Sequence, residues 1–72
     1  MKITYDSEVD ALSIIFRDTT VTSQHLADGI TADCDSEGNL AGIEILDACQ
    51  RFGGPETFRQ VVIEGIGSFL GA

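Results

Sequence analysis

Two stretches of this chain spell nearly the same phrase, and that repetition constrains the fold more than any other feature. Residues 3–18 read ITYDSEVDALSIIFRD, and residues 30–47 read ITADCDSEGNLAGIEILD. With Cys34 and Asp35 taken as an insertion in the second copy, Ile3 aligns with Ile30, Thr4 with Thr31 and Asp6 with Asp33. Beyond the insertion, Ser7 aligns with Ser36, Glu8 with Glu37, Ile14 with Ile43 and Asp18 with Asp47. Each copy reads as strand, acidic turn, strand. A chain built from two such units folds as antiparallel hairpins, because short connections cannot make the long crossovers that parallel strands need.

The side-chain periods agree. Ile3 and Tyr5 alternate with Lys2 and Thr4, and Leu12, Ile14 and Phe16 alternate with Ser13 and Ile15. Ile30, Ala32 and Cys34 alternate with Thr31, Asp33 and Asp35, and Ala41, Ile43 and Ile45 with Gly42 and Glu44. This is the two-residue period of half-buried strands. Gly42 in mid-strand signals a bulge or a close backbone approach. Residues 17–28 are polar and weakly patterned. They read as loop, with a short extended piece around Val21. A short helical turn is expected over 47–52. Gly53-Gly54-Pro55 then breaks the chain, and Pro55 suits a first helical position. Phe58, Val61, Val62 and Ile66 recur at helical spacing, which predicts an amphipathic helix from Glu56 to about Gly65. The expected fold is therefore α+β in a single domain, 1–72. A four-stranded antiparallel β-meander of two hairpins spans 1–47, and a helical extension with one C-terminal amphipathic helix spans 48–72.

Seventy-two residues give a thin core. Small domains compensate with disulfides, metals or self-association. The apolar residues Ile66, Phe69 and Leu70 at the end of the chain also need cover, so a homodimer is expected. The two cysteines, Cys34 and Cys49, read as free thiols of a cytoplasmic protein, since no signal peptide is visible. No apolar run is long enough to cross a membrane. Twelve acidic residues against four basic ones give a formal charge of −8. Such a surface repels phosphate backbones, which excludes nucleic acid as an expected partner, and it suits a basic protein partner.

One motif has the spelling of a metal site. Asp33, Asp35 and Glu37, then Gly38, then Glu44 occupy the positions of a twelve-residue calcium loop. Hard cations need several converging oxygens, and a glycine at the sixth place permits the sharp turn. The flanks, however, are strands where such a loop has helices. The alternative is a hydrophilic hairpin tip with solvated carboxylates. A weak calcium or magnesium site on the 33–44 hairpin is thus a second reading, and no other cofactor is expected. Catalytic chemistry is not expected. His25 lies in a polar stretch, Cys34 falls on the core face, and Cys49 has Arg51 as its nearest activating charge in sequence.

The run Ile3-Thr4-Tyr5-Asp6, then Asp10-Ala11-Leu12-Ser13-Ile14, then Gly29-Ile30, then Asp33, Asp35, Gly38 and Leu40, and Gly42-Ile43-Glu44-Ile45-Leu46-Asp47-Ala48 resembles a family of short prokaryotic proteins. That family is catalogued only as a domain of unknown function, number 2283. The resemblance covers residues 1–49 and implies a small β-meander with a helical C-terminal extension. It implies no activity, cofactor or catalytic residue. The functional expectation is a self-associating protein-interaction or regulatory module without catalysis. An antitoxin-like neutraliser of a basic partner is one concrete alternative.

Overall fold

The computed structural model describes residues 1–65 and 67. The alternating segments form strands β1 (Lys2–Asp6), β2 (Ala11–Ile15), β4 (Ile30–Cys34) and β5 (Leu40–Ile45), and a further strand, β3 (Thr22–Ala27), precedes β4. All join one antiparallel sheet in the order β1-β2-β5-β4-β3. The sheet therefore has five strands where the sequence predicts four, and it is not a simple meander. Strands β3, β4 and β5 follow one another as hairpins, while β2 lies beside β5, which is a Greek-key arrangement. The connection at residues 16–21 carries the chain past β5 and β4 to the far edge. The strand missed by the sequence reading is the polar TSQHLA segment, exposed along its whole length. An edge strand with no buried face has no alternation to display. Its ladder bonds to β4 hold it, not its side chains.

Paired residues share a face. Ile3 and Ile14, Tyr5 and Leu12, Ala32 and Ile43, and Ile30 and Ile45 are cross-strand partners, so one face of the sheet is apolar. Thr4 with Ser13, Thr31 with Glu44 and Ser23 with Asp33 define the opposite, polar face. The alternation read from the sequence thus holds for Ile3, Tyr5, Leu12, Ile14, Ile30, Ala32, Ile43 and Ile45. Gly42 also behaves as expected. Pairing shifts register beside it, with Asp33 opposite Gly42 but Cys34 opposite Leu40, which leaves Ala41 as a bulge. A Cβ on Gly42 would stand 3.0 Å from the carbonyl oxygen of Ile14.

The register revises the repeat. Ile3 pairs with Ile14, and the residue that pairs with Ile43 is Ala32, not Ile30. The two hairpins therefore superpose without any insertion: Asp6 corresponds to Asp35, Ser7 to Ser36 and Glu8 to Glu37. The matches of Ile3, Thr4 and Asp6 to Ile30, Thr31 and Asp33 do not survive. The shared Asp-Ser-Glu does the same job twice. Asp6 accepts the backbone N–H of Glu8 at 3.0 Å, and Asp35 accepts that of Glu37 at 2.9 Å, an aspartate turn that reverses the chain. Strands β2 and β5 then pair with Ile14 opposite Ile43, flanked by Ser13 with Glu44 and Ile15 with Gly42. That pattern maps onto itself when the copies are exchanged. The β1–β2 and β5–β4 hairpins are related by a local two-fold axis through the Ile14–Ile43 pair.

The C-terminal extension contains helix α1 (Ala48–Arg51), as expected for 47–52, and a 3-10 turn at Pro55–Arg59. The amphipathic helix expected from Glu56 to Gly65 is corrected to that single turn. Gln60 is already extended, with φ −143° and ψ 130°, and residues 61–64 lie outside any helix. Val61, Val62 and Ile63 are β-branched and lose side-chain freedom in a helix, and they follow a turn too short to nucleate one. The expected burial of Ile66, Phe69 and Leu70 lies outside the described residues. The hydrophobic core is small: Leu12, Ala32, Ala41 and Ala48 are buried. Phe58 stacks on Tyr5 with centroids 4.7 Å apart, and Phe52 meets Phe58 edge-on at 5.8 Å. These rings cover one end of the apolar face.

Candidate functional site

The carboxylates of the 33–44 hairpin are dispersed rather than convergent. Asp33 sits on the polar face in β4, opposite Gly42, and accepts the Ser23 hydroxyl at 2.6 Å. Asp35 lies beyond the strand end and is turned into its own loop. Its Oδ1 accepts the N–H groups of Glu37 and Asn39, each at 2.9 Å, and its Oδ2 takes the Arg17 guanidinium and the Asn39 amide. The Asn39 N–H, ahead of the other donors, holds the Asp35 carboxyl below the usual carboxylate range. Gly38 takes a φ of 84°, as the turn requires. Glu37 is exposed at the tip, and Glu44 is exposed in the middle of the sheet between Ser13 and Thr31. Among the described residues, no group of three or more His, Cys, Asp or Glu is placed to hold a metal ion. The glutamates and Asp33 are not brought to Asp35, whose oxygens already serve protein donors.

His25 stands in β3 opposite Thr31 and is exposed, rather than in a loop. Cys34 is half-buried at the end of β4, and both cysteines are free thiols. Cys49 is the residue whose surroundings depart most from expectation. Arg51 does not face it. The Arg51 Nε donates to the Leu46 carbonyl at 2.8 Å, and its terminal nitrogen donates to the Asp28 carbonyl. The thiol lies instead 3.2 Å from the Tyr5 hydroxyl. That hydroxyl donates to Asp10 Oδ1 at 2.6 Å, and the same oxygen accepts the Cys49 N–H at 2.9 Å. Just before it, the Ala48 N–H donates to the Asp10 carbonyl at 3.0 Å.

This cluster of Tyr5, Asp10 and Cys49 joins the first hairpin to α1. Asp10 takes a left-handed backbone conformation, φ 54°, which aspartate tolerates better than most residues. That conformation presents both its carboxylate and its carbonyl to the helix start. The Tyr5 hydroxyl, assisted by the Cys49 N–H, holds the Asp10 carboxyl below its ordinary range. The carboxylate in turn, with Cys49 beside it, raises the Tyr5 phenol above its ordinary value. The carboxylate and the thiol therefore both favour the protonated phenol. No sequence signal announces the cluster, because Cys49 is distant from Tyr5 in the chain and the docking follows from the β2–β5 pairing. The one legible hint is Asp10 itself, closing an acidic turn just ahead of a strand.

Two shallow clefts flank Ile15. One, of about 240 Å³, is bordered by Met1, Lys2 and Phe16. The other, of about 200 Å³, is bordered by Arg17, Asp18, Asp33 and Gly42. Both are open, and both are smaller than the roughly 300 Å³ at which small-molecule pockets begin. No helix among the described residues is long and apolar enough to cross a membrane.

Residues 2–48, well over half of the chain, match the family model described as "Protein of unknown function (DUF2283)", and the chain belongs to that family. No curated protein and no solved structure matches.

Proposed function

We propose that this family member is a self-associating protein-interaction module without catalytic activity. One observation carries the reading. A compact monomer of this mass, 7.7 kDa, should expose about 4300 Å², whereas this chain exposes 5630 Å². Its radius of gyration is 13.8 Å, against about 11 Å for a compact domain of this length. The difference is of the order that one partner buries in a standard protein interface, ~800 Å² or more. The surplus includes apolar surface. Ile3, Leu40, Val61, Val62 and Ile63 are all exposed, and burying them against a partner supplies the association energy. The clamp of Tyr5, Asp10 and Cys49 and the loop around Asp35 serve in this reading as rigidifying elements. The free thiols of Cys34 and Cys49 support a reading in which the module works in a reducing compartment such as the cytoplasm.

A second reading, a neutraliser of a basic partner, is favoured by the polar face. Asp33 and Glu44 lie on it, and Glu44 stands exposed at mid-sheet. The two readings are compatible if the apolar surface binds a copy and the polar face binds the partner. Sedimentation equilibrium of the full chain tests the first. A mass twice that of the protomer supports self-association, and a protomer mass at high concentration overturns it. Binding of a polylysine probe that weakens with added salt supports the second, and no binding at low ionic strength refutes it.

A further inference from the structure

The local two-fold axis makes the sheet's two ends comparable, and they are not equivalent. The axis relates β1 to β4. The outer side of β4 carries β3, but no strand among the described residues pairs with the outer side of β1. The first hairpin thus lacks the neighbour that its counterpart has. An open strand edge presents a row of unpaired N–H and C=O groups and is a template for another strand. The other edge, β3, carries a register shift between His25 and Ala27, and such bulges discourage edge pairing. Strand β1 pairs with β2 through five consecutive positions without a shift, and it contains no proline. Neither a bulge nor a proline interrupts it.

We infer that β1 is a homodimerisation edge, pairing antiparallel with β1 of a second copy about a two-fold axis through Thr4. The inference rests on the self-association proposed above and names its surface. The side chains select this occupant and this register. Paired residues share a face, which allows Ile3, Thr4 or Tyr5 at the axis, and of these only Thr4 opposite Thr4 of the other copy sets cation against anion. Lys2 then lies opposite Asp6 of the other copy, twice over, on the polar side. Ile3 lies opposite Tyr5 of the other copy, twice over, on the apolar side. Lys2, Ile3, Thr4 and Asp6 are exposed, and Tyr5 is half-buried. On a chain of formal charge −8, an edge that offers its own cation to its own anion accepts a second copy without like-charge repulsion. Opposite charges and aromatic–aliphatic pairs directly across strands are both favourable. The interface is isologous, as closed dimers require, and the product is a continuous sheet of two sets of five strands.

The experiment measures the dimer dissociation constant by sedimentation equilibrium at low salt. Wild type, Lys2→Asp, Asp6→Lys and an equimolar mixture of the two variants are compared. Each variant alone places like charges opposite one another twice, which should weaken the dimer by about tenfold or more. The mixture restores both opposite-charge pairs and should recover heterodimer at near wild-type affinity. A Thr4→Cys variant supplies a second readout, since oxidation should give disulfide-linked dimer well above the wild-type background from Cys34 and Cys49. Dimerisation unchanged in Lys2→Asp, with no excess cross-linking of Thr4→Cys, overturns the β1 edge and leaves self-association standing. A wild-type chain that stays monomeric overturns both.

Discussion

Leu12 is the position at which a single substitution tests the described packing most directly. It is the largest of the buried residues, 7% exposed. It pairs with Tyr5 on one side and Ile45 on the other. The remaining buried hydrophobics among the described residues are alanines, so no other large side chain described is as fully enclosed. Truncation of a buried leucine to alanine costs about 2–5 kcal/mol, because the lost transfer energy is joined by a cavity. A 72-residue chain has roughly 4–11 kcal/mol of stability in all, at 0.05–0.15 kcal/mol per residue. A core this small belongs toward the lower end of that range. Leu12→Ala at ~3 kcal/mol therefore removes a large share of the total. With an m-value of about 1 kcal/mol/M, the urea midpoint falls by about 3 M, and the melting temperature falls by about 12–24 °C. The control is Val9→Ala, in the exposed turn, which should stay within ~0.5 kcal/mol of wild type. Both are followed by far-UV circular dichroism at one fixed protein concentration, so that mass action from self-association cancels. Equal midpoints for the two variants would refute the placement of Leu12 at the centre of the core.

Two further predictions use the clusters. Stability should fall at both ends of the pH scale. Asp10 and Asp35 have depressed carboxyl pKa values in the folded state, so their contribution is present above the ordinary carboxylate range and is lost as pH falls through their folded values. Tyr5 is raised above its ordinary 10.0, so its contribution is intact below that value and is lost as pH climbs beyond it. The chain has one tyrosine and no tryptophan, so ultraviolet absorbance follows Tyr5 alone. Tyrosinate appearing at the free-phenol pH while circular dichroism remains native would sink the Tyr5–Asp10 hydrogen bond. Separately, millimolar calcium should leave the amide resonances of Asp33, Asp35, Glu37 and Glu44 in place, because Asp35 already accepts from Glu37, Asn39 and Arg17. Saturable shifts confined to these residues would restore the cation site.

The sequence is legible where a side chain must choose a face. Ile3, Tyr5, Leu12, Ile14, Ala32 and Ile43 all lie on the side that their alternation indicates, and Gly42 sits beside the bulge that it signals. Legibility fails where no choice is imposed. Strand β3 has neither face buried, so Thr22 to Ala27 read as loop. Val61 and Val62 stand at helical spacing from Phe58 by accident of position, while their β-branched chemistry favours the extended form that Gln60 begins. The cluster of Tyr5, Asp10 and Cys49 is illegible for another reason. It depends on β5 lying beside β2, a pairing of segments separated by the whole β3–β4 hairpin.

The two-fold axis also explains why carboxylates recur at both turns although no three of the described ones are grouped to hold a metal. The chain leaving β2 passes to the turn of the second hairpin, where Arg17 meets Asp35 and the N–H groups of Phe16 and Arg17 donate to Ala41. The chain leaving β5 passes to the turn of the first hairpin, where the N–H groups of Ala48 and Cys49 meet Asp10. Each acidic turn receives the segment that exits the other copy's second strand. A connector that leaves a strand end carries backbone N–H groups with no ladder partner, and an unpaired donor near the core is costly. At the first turn the carbonyl and carboxylate of Asp10 accept them; at the second the Ala41 carbonyl accepts them, while Asp35 holds the Arg17 side chain. The calcium-loop spelling of residues 33–44 arises because one such aspartate, Asp35, falls between Asp33, a partner of Ser23, and the exposed Glu37. The acidic repeat that first suggests a ligand is, in the folded chain, one aspartate turn used twice, and each turn lies where the other hairpin's outgoing strand is fastened, by Asp10 at the first and by Ala41 and Asp35 at the second.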